Sequence, residues 1–278
     1  MEPFKQELQT ELKGKIPSKK LTLLPSGFQR IGDVIVLRLD PALKPFEKSI
    51  GVVVLKQYRV KTVCAIEGKI SGALRKPHVK KIAGDSTETT HKENGISYSL
   101  DVAKIVFAKG NINERARLPR LVKSGEIVAD MFAGIGYFTL PIAKFSGAKK
   151  IYAIEKNPVA VRYLKENMRK NYISNVTPIL GDNRKIEIPE PVDRVVMGYF
   201  PGTEKYLPAV FSFLKSGGVI HFHDVFSEND LWQRPEKILK KAAQHNGFTL
   251  TKILYKNIVK NYAPHKFHVV IDAAFEKA

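Results

Sequence analysis

The sequence has one cysteine, Cys64, among its 278 residues. A single thiol cannot close an intramolecular disulfide and cannot by itself build a cysteine-rich zinc site. The longest apolar runs, such as residues 52–55, are far shorter than the roughly 20 residues that a membrane-spanning helix needs. The first residues mix charges where a signal peptide needs an apolar stretch. These absences predict a soluble protein of the cytoplasm.

Acidic residues are few relative to basic ones. The chain has 46 lysines and arginines against 27 aspartates and glutamates, which gives a formal net charge of +19 and a pI near 9.8. Such an excess attracts polyanions, and nucleic acid is the commonest polyanion in a cytoplasm. No run of like charges forms a tail, so a folded basic face is favoured over a disordered arm. A generic basic surface, as in lysine-rich thermostable proteins, is the alternative.

Length and pattern predict two domains. Residues 1–112 are expected to form a small α+β domain that begins with a short amphipathic helix over residues 1–20. Short β-branched runs follow, and the Asn94-Gly95 pair before one of them is a hairpin signal. The runs interpreted as strands cover residues 34–37, 50–55, 62–66, 96–101 and 104–107, and residues 41–47 could start a helix.

Residues 113–278 alternate strand-like and helical runs, which predicts a doubly wound α/β domain with a parallel sheet and right-handed crossovers. The expected strands cover residues 126–131, 150–154, 176–180, 193–197, 218–222, 249–255 and 267–275. The expected helices cover residues 137–145, 158–171, 205–214 and 235–246.

A glycine turn follows the first strand of this second domain. The strand ends in Asp130, Gly134 and Gly136 form a turn without side chains, and a helix then begins. Glycines let a ligand approach the backbone closely, and the helix N-terminus supplies partial positive charge. In a doubly wound sheet this turn lies at the carboxyl ends of the strands, where ligands bind. A tight structural turn alone would give the same short pattern.

Acidic residues at the next two strand ends make the signal more specific. The second strand ends in Glu155, 21 residues after Gly134, a spacing at which an acid can accept both hydroxyls of a ribose. The third strand leads into Asp182 and Asn183, where an adenine amino group could be met. The third glycine of a dinucleotide motif and the Gly-Lys-Ser/Thr of a triphosphate site are both missing. The pattern therefore favours a phosphate-free adenosine, S-adenosylmethionine (AdoMet).

These residues resemble the class I AdoMet-dependent methyltransferases. The resemblance implies a Rossmann-like class I methyltransferase domain preceded by the small α+β domain. It also implies that Glu155 holds the ribose, that Asp182 and Asn183 face the adenine, and that the glycine loop passes near the methionine part. The candidate contacts of the cofactor are Ala108, Arg115, Asp130, Phe132, Gly134, Gly136, Glu155, Lys156, Asp182 and Asn183.

A narrower resemblance covers the chain from about Phe28 onward. Residues 130–143, together with the Arg-Ile-Gly-Asp segment at 30–33, are similar to archaeal and eukaryotic enzymes that act on the purine 3′ to the tRNA anticodon. One branch of that family methylates N1 of guanine 37. The other takes part in wybutosine biosynthesis and transfers the 3-amino-3-carboxypropyl group of AdoMet to carbon 7 of 4-demethylwyosine.

The fourth strand separates the two branches. In the methyltransferase branch this strand leads into Asn-Leu-Pro or Asn-Pro-Pro, whose amide holds the target base. Here Gly198 occupies the Asn place and Pro201 comes too late, and a glycine makes no side-chain hydrogen bond. Residues 109–113, 197–199 and 220–223 are similar to the aminocarboxypropyl branch, which the sequence favours. A guanine-37 N1-methyltransferase with a degenerate motif and a non-catalytic RNA-binding protein are the alternatives.

Two side chains are candidates for catalysis. Arg115, with the backbone of residues 108–111, is expected to position the methionine arm or the base, although a phosphate-binding or solvent-exposed arginine would look the same. His223, beside Asp224, is the candidate for moving protons, against the alternative of a core histidine. No group of His, Cys and acidic residues has metal-ligand spacing, so no metal is expected.

The resemblance implies that tRNA is the partner, contacted around its anticodon stem-loop. Basic residues of the first domain would bind phosphates, which gives affinity and orientation without base specificity. These residues include Lys56, Arg59, Arg75, Lys76, Lys80 and Lys81. No membrane partner is expected.

Overall fold

The computed structural model describes residues 3–278, apart from the side chain of Lys109, and the chain divides into two compact units. One unit ends at Phe107 and the other runs from Ala108 to Ala278, whereas the sequence placed the boundary between residues 112 and 113. Residues 104–107 are not the strand that was expected. The Asp101 carboxylate accepts a hydrogen bond from the amide of Ala103 (2.9 Å), and the chain turns there instead of extending.

The first unit is a small α+β unit, as expected. Its sheet has the order β1-β2-β3-β4, in which β2 and β3 are parallel and the other neighbours antiparallel. A separate hairpin pairs β5 with β6. Its elements are α1 (Pro3–Leu12), α2 (Ser18–Leu21), β1 (Gln29–Ile31), β2 (Val34–Leu37), α3 (Glu47–Tyr58), β3 (Thr62–Ser71), β4 (Lys76–Gly84), β5 (Glu88–Glu93) and β6 (Ile96–Asp101).

Three local predictions in this unit are confirmed, one of them only in part. Asn94 and Gly95 join β5 to β6 with φ angles of 47° and 75°, the left-handed pair that a two-residue hairpin turn requires. The helix predicted over residues 1–20 is present as α1 but ends at Leu12, and residues 1 and 2 of that prediction lie outside the described residues. Residues 41–46 form a short 3₁₀ helix that leads directly into α3, so the helix start predicted there is also present.

The strand predicted over residues 50–55 is wrong, because this stretch lies inside α3. Ile50 and Val54 are fully buried and lie four residues apart, whereas Val52 between them is 45% exposed. That burial follows the period of a helix. The strand was predicted because β-branched residues, which favour strands, make up most of the run. Tertiary packing outweighs the modest helix propensity of valine here.

The second unit contains seven strands and five α-helices in the described chain. These are α4 (Ile112–Arg117), β7 (Ile127–Asp130), α5 (Thr139–Phe145), β8 (Lys150–Glu155), α6 (Pro158–Lys170), β9 (Val176–Leu180), β10 (Val192–Met197), α7 (Leu207–Phe211), β11 (Leu214–Ser227), α8 (Gln233–His245), β12 (Phe248–Ala263) and β13 (Lys266–Lys277). The sheet order is β9-β8-β7-β10-β11-β13-β12.

This order confirms the doubly wound prediction and corrects its last part. Neighbouring strands from β9 through β11 are parallel, but β13 is antiparallel to both β11 and β12. The sequence predicted a fully parallel sheet. A short turn at residues 264–265 separates β12 from β13, too short for a crossover helix, so these two strands must pair as a hairpin.

The sheet positions the site through its switch point. β7 lies between β8 and β10 in the sheet. From β7 the chain adds β8 and β9 on one side, and it then crosses over to add β10 and β11 on the other side. In open α/β sheets ligands bind beyond the carboxyl ends of the strands at such a point. All four residues of β7 are buried, as are the four central residues of β8. The two strands therefore belong to the packed core and fix the positions where the loops after them begin.

Among residues 3–278, no helix has both the length and the apolar character needed to cross a membrane.

Candidate functional site

The predicted glycine loop and Glu155 are brought into direct contact. Asp130 at the end of β7 pairs in register with Ala153 of β8, so the loop after β7 lies beside the end of β8. The backbone amide of Gly134 donates to Oε2 of Glu155 at 2.8 Å. The two strand ends that the sequence analysis selected therefore lie together, and their contact with a ligand stays a prediction.

The glycine loop has no room for side chains. Gly134 and Gly136 have φ angles of +55° and +102°, in the region where L side chains are strained. A Cβ on Gly134 would lie 2.6 Å from the ring of Tyr137, and a Cβ on Gly136 would overlap Leu140. Glycine is thus required at both positions, and at Gly134 the half-buried backbone can be approached by a ligand.

Glu155 is a half-buried carboxylate held by backbone amides. Its Oε1 accepts from the amide of Asn157 at 2.7 Å, and its Oε2 accepts from Gly134. Burial raises the pKa of Glu155, and these backbone hydrogen bonds oppose that rise. The amide of Lys156 also acts on this group, so backbone amides take up to three of the roughly four acceptor positions of the carboxylate. At least one position is left that can accept from a ribose hydroxyl.

Asp130 lies inside the loop. It is fully buried and accepts from the hydroxyl of Thr139 at 2.7 Å and from the amide of Phe132 at 3.2 Å. Burial raises the pKa of Asp130 to about 6, although the hydrogen bond from Thr139 lowers it. The carboxylate therefore fixes the turn from within, and a direct contact between Asp130 and a ligand stays a prediction.

The raised pKa of Asp130 predicts a pH dependence of stability. The carboxyl binds its proton more tightly in the folded than in the unfolded chain, so its contribution is most favourable below about pH 4 and is lost as the pH rises through about 6. We expect the free energy of unfolding of wild type, minus that of Asp130→Asn, to fall by about 3 kcal/mol across this range, since each unit of difference between the folded and unfolded pKa is worth about 1.4 kcal/mol. Urea unfolding at several pH values measures it, and parallel pH profiles for the two proteins would contradict it.

Asp182 and Asn183, which follow β9, have different surroundings, since Asp182 pairs with basic side chains and Asn183 is buried. Asp182 accepts from Arg184 Nη2 at 2.6 Å and from Lys156 Nζ at 3.1 Å, and the Arg184 guanidinium holds the pKa of Asp182 well below its usual range. Asn183 is buried, and its Nδ2 donates to the carbonyl oxygen of Met131 at 2.7 Å.

The Oδ1 of Asn183 has no hydrogen-bond partner within the described chain. A buried unpaired acceptor is costly unless a ligand completes it. An amino group such as that of adenine would satisfy the Oδ1. This orphaned acceptor, the glycine loop and the Glu155 carboxylate together fit the adenosine part of AdoMet.

The segment at the start of the second unit reaches the glycine loop. Arg115 is buried in α4, and its Nη1 donates to the carbonyl oxygen of Ala108 at 3.0 Å. Its guanidinium carbon lies 6.0 Å from the ring centroid of Tyr137, the side chain that packs on Gly134. The structure thus places Ala108 and Arg115 beside the loop, whereas their contact with a methionine arm stays a prediction.

His223 is fully buried on β11. Its Nδ1 lies 3.1 Å from Nε2 of His268 on β13, and its ring lies 5.6 Å from that of Phe138. Burial lowers the pKa of His223 well below its usual value and lowers the pKa of His268 to about 3. Both imidazoles are therefore neutral at physiological pH. Nothing in these contacts involves a substrate, and the catalytic role of His223 stays a prediction.

Aromatic side chains that the sequence did not connect meet at the end of β10. Phe132 stacks on Tyr199 with ring centroids 5.0 Å apart, and Tyr206 meets Phe132 edge-on at 5.0 Å. Gly198 faces the ring of Phe138, which would lie 2.6 Å from a Cβ at that position. A motif search could not have found this cluster, because its members are separated along the chain and aromatic residues are also ordinary core residues.

The fold and site define a class I AdoMet-dependent transferase. In this sheet the antiparallel strand is β13, which lies between β11 and the edge strand β12. The model of the TRM5/TYW2 methyltransferase domain matches residues 89–251, and that of the TYW2 N-terminal domain matches residues 8–87. The chain belongs to the TRM5/TYW2 family.

Two curated relatives are similar over nearly their whole lengths. A tRNA(Phe) (4-demethylwyosine(37)-C(7)) aminocarboxypropyltransferase from Methanocaldococcus jannaschii is 46% identical over 90% of this chain and 98% of its own. A protein of the same name from Pyrococcus horikoshii is 38% identical over 97% of this chain and 96% of its own. A tRNA (guanine(37)-N(1))-methyltransferase Trm5b from Pyrococcus abyssi is 36% identical over 92% of this chain and 77% of its own.

Two solved structures of TYW2 proteins are similar to this chain in fold. The M. jannaschii TYW2 structure in complex with AdoMet has a TM-score of 0.76 and 42% identity, covering 91% of this chain and 100% of that one. The P. horikoshii TYW2 structure in complex with MeSAdo has a TM-score of 0.86 and 36% identity, covering 99% of this chain and 100% of that one. Thus the fold expected from the resemblance is confirmed.

Proposed function

We propose that this chain is a tRNA aminocarboxypropyltransferase. It transfers the 3-amino-3-carboxypropyl group of AdoMet to carbon 7 of 4-demethylwyosine at position 37 of tRNA(Phe) and releases methylthioadenosine. The observation that carries this conclusion is the 46% identity to a curated enzyme of that name over 98% of its length. Gly198, where the methyltransferase branch has a base-holding asparagine, supports it from the site.

AdoMet supplies a sulfonium from which the carbon in line with the attacking atom is displaced, so orientation chooses the product. In our proposal Glu155 holds the ribose hydroxyls and Asn183, next to Asp182 and Lys156, meets the adenine. Gly134 and Gly136 let the ligand approach the backbone, while Asp130 and Phe132 shape that loop. Arg115 and the backbone at Ala108 orient the methionine arm.

Bond formation at carbon 7 requires that the base lose the proton of that carbon. We assign His223 to accept it, because this imidazole is neutral and has an Nε2 without a hydrogen-bond partner in the described chain. His223 follows Phe222, which pairs with Met197 of β10, so it lies at the level of Gly198. The lowered pKa of His223 leaves the ring unprotonated at physiological pH, and it also makes this imidazole a weaker base than a free one.

The first unit would bind tRNA, including its anticodon stem-loop, through phosphate contacts. Five of its six candidate basic side chains are exposed: Lys56, Arg59, Lys76, Lys80 and Lys81. Exposed lysines can pair with phosphates without reading sequence. Lys80 also pairs with Glu47 at 2.9 Å, so this lysine must exchange one partner for another when RNA binds. We place the enzyme in the cytoplasm, where its tRNA substrate is found, and assign it no metal.

The by-product of the reaction tests the function. We expect wild-type protein, AdoMet and tRNA(Phe) that carries 4-demethylwyosine to yield methylthioadenosine, as measured by chromatography of the nucleosides. The matched control is the same tRNA with guanine at position 37, which should give no turnover. S-Adenosylhomocysteine from the guanine-bearing tRNA would instead establish the methyltransferase alternative. That alternative is tested because the chain is also similar to the methyltransferase Trm5b. Absence of AdoMet binding in calorimetry would support the non-catalytic alternative.

A further inference from the structure

The ring of Tyr137 covers the glycine loop. Its Cε2 and Cδ2 atoms would lie 2.6 and 2.8 Å from a Cβ on Gly134, so the ring fills the space that a side chain at this loop position would take. Tyr137 is half-buried, so part of its surface is accessible to a ligand. The backbone that it covers is the same backbone whose amide donates to Glu155.

The same ring also faces the segment that carries Arg115. The guanidinium carbon of Arg115 lies 6.0 Å from the ring centroid of Tyr137. Nη1 of Arg115 in turn donates a hydrogen bond to the carbonyl oxygen of Ala108. Tyr137 therefore stands at the junction between the ribose side of the site and residues 108–115. A methionine arm that extended from a ribose at Glu155 past Gly134 toward Arg115 would meet this ring.

We propose that Tyr137 determines which substituent of the sulfonium is transferred, by forming a wall that holds the methionine arm with its γ-carbon, and not the methyl group, toward the acceptor base. This inference rests on the proposed function. In the step, the bond from sulfur to the γ-carbon breaks, and its electron pair stays on sulfur in methylthioadenosine. The new carbon–carbon bond forms at the acceptor carbon, which loses its proton to the assigned base.

A large ring is suited to this role for a physical reason. Methyl and aminocarboxypropyl groups leave the same sulfur, so the two reactions differ by the orientation of the sulfonium and not by the strength of the donor. An aromatic ring has only two side-chain torsions and loses little entropy when it is fixed. The nearby backbone of Gly134 and the guanidinium of Arg115 restrict those torsions further.

The ratio of the two by-products tests the proposal. With tRNA that carries 4-demethylwyosine, we expect Tyr137→Ala to raise the ratio of S-adenosylhomocysteine to methylthioadenosine at least roughly tenfold over wild type, a shift of about 1.4 kcal/mol between the two barriers. Tyr137→Phe keeps the ring and should retain the wild-type ratio, whatever its rate. Tyr172→Ala, which removes a tyrosine that is 96% exposed, is the control and should change neither rate nor ratio.

An unchanged ratio in Tyr137→Ala would overturn the proposal. Tyr137→Leu is measured beside it, so that an alanine variant that fails to fold still leaves a decisive result; a wild-type ratio in the leucine variant also overturns the proposal. Failure of the proposed function looks different, because wild type itself would then release S-adenosylhomocysteine or nothing. A ratio unchanged among variants with methylthioadenosine as the sole product leaves the function intact and removes only the role of Tyr137.

Discussion

Replacing Asp272 by alanine is expected to lower the free energy of unfolding by about 3–5 kcal/mol, the cost of removing one partner from a buried ion pair. Asp272 lies on β13 and is 2% exposed. Its Oδ2 accepts from Nη1 of Arg117 at 2.6 Å, and its Oδ1 lies 2.6 Å from Nδ1 of His221. The substitution would leave a half-buried guanidinium with Glu114 as its remaining carboxylate partner and would leave the His221 ring unpaired on that side.

The tautomer of His221 follows from its two neighbours. Nη1 of Arg194 lies 2.9 Å from Nε2 of His221, and a guanidinium can only donate. Nε2 must therefore accept, so the proton of a neutral ring is on Nδ1, from which it is donated to Asp272. The pKa of His221 is lowered by burial, which agrees with a neutral ring. The carboxylate of Asp272 is thus required by both Arg117 and His221.

Urea unfolding at about pH 7 measures the effect. The pKa of Asp272 is held below its usual range by His221 and Arg117, in spite of burial, so its stabilising contribution is fully present above the unfolded-state pKa of about 3.9 and is lost only as the pH falls below it. Asp230→Ala breaks a pair with Arg234 that is far more exposed and is screened by solvent, so it should cost much less than Asp272→Ala. A similarly small loss for Asp272→Ala would contradict the prediction.

Strand ends were the part of this fold that the sequence predicted best. A glycine turn after a buried strand can also be purely structural, but the structure does bring it against the end of the next strand, where Gly134 donates to Glu155. The contact of Glu155 with a ribose, which the spacing indicated, stays a prediction. The Asn94-Gly95 turn was clear, because its left-handed backbone excludes most residues. In both cases the determining information is local in the chain.

What the sequence could not supply depends on distant residues. Arg117 and Asp272 are 155 positions apart, and nothing near either of them indicates the other. The β-branched run at 50–55 was compatible with a strand until the surrounding core fixed the helical face. Short-range patterns therefore predicted which strand ends lie together, and tertiary contacts determine how their side chains are held.

Removing the Glu155 carboxylate is expected to weaken AdoMet binding by about 1.5–3 kcal/mol, the usual contribution of hydrogen bonds to a charged group. In Glu155→Ala the ribose hydroxyls lose their acceptor, and the amides of Gly134 and Asn157 lose theirs as well. Isothermal titration calorimetry gives the change in affinity, and a thermal unfolding scan of each variant ensures that folded protein is titrated. Glu155→Gln keeps one oxygen acceptor and should lose less.

A ligand lacking a hydroxyl separates contact with ribose from damage to the loop. If Glu155 accepts from the ribose, the 2′-deoxy analogue of AdoMet should bind wild type more weakly than AdoMet does, and Glu155→Ala should bind the two ligands more nearly alike, a coupling that a double-mutant cycle isolates. If the substitution acted only by loosening the glycine loop, both ligands would lose the same affinity. Equal losses, or a loss for AdoMet within measurement error, would remove Glu155 from the ribose site, because the carboxylate would then serve only backbone amides such as those of Gly134 and Asn157.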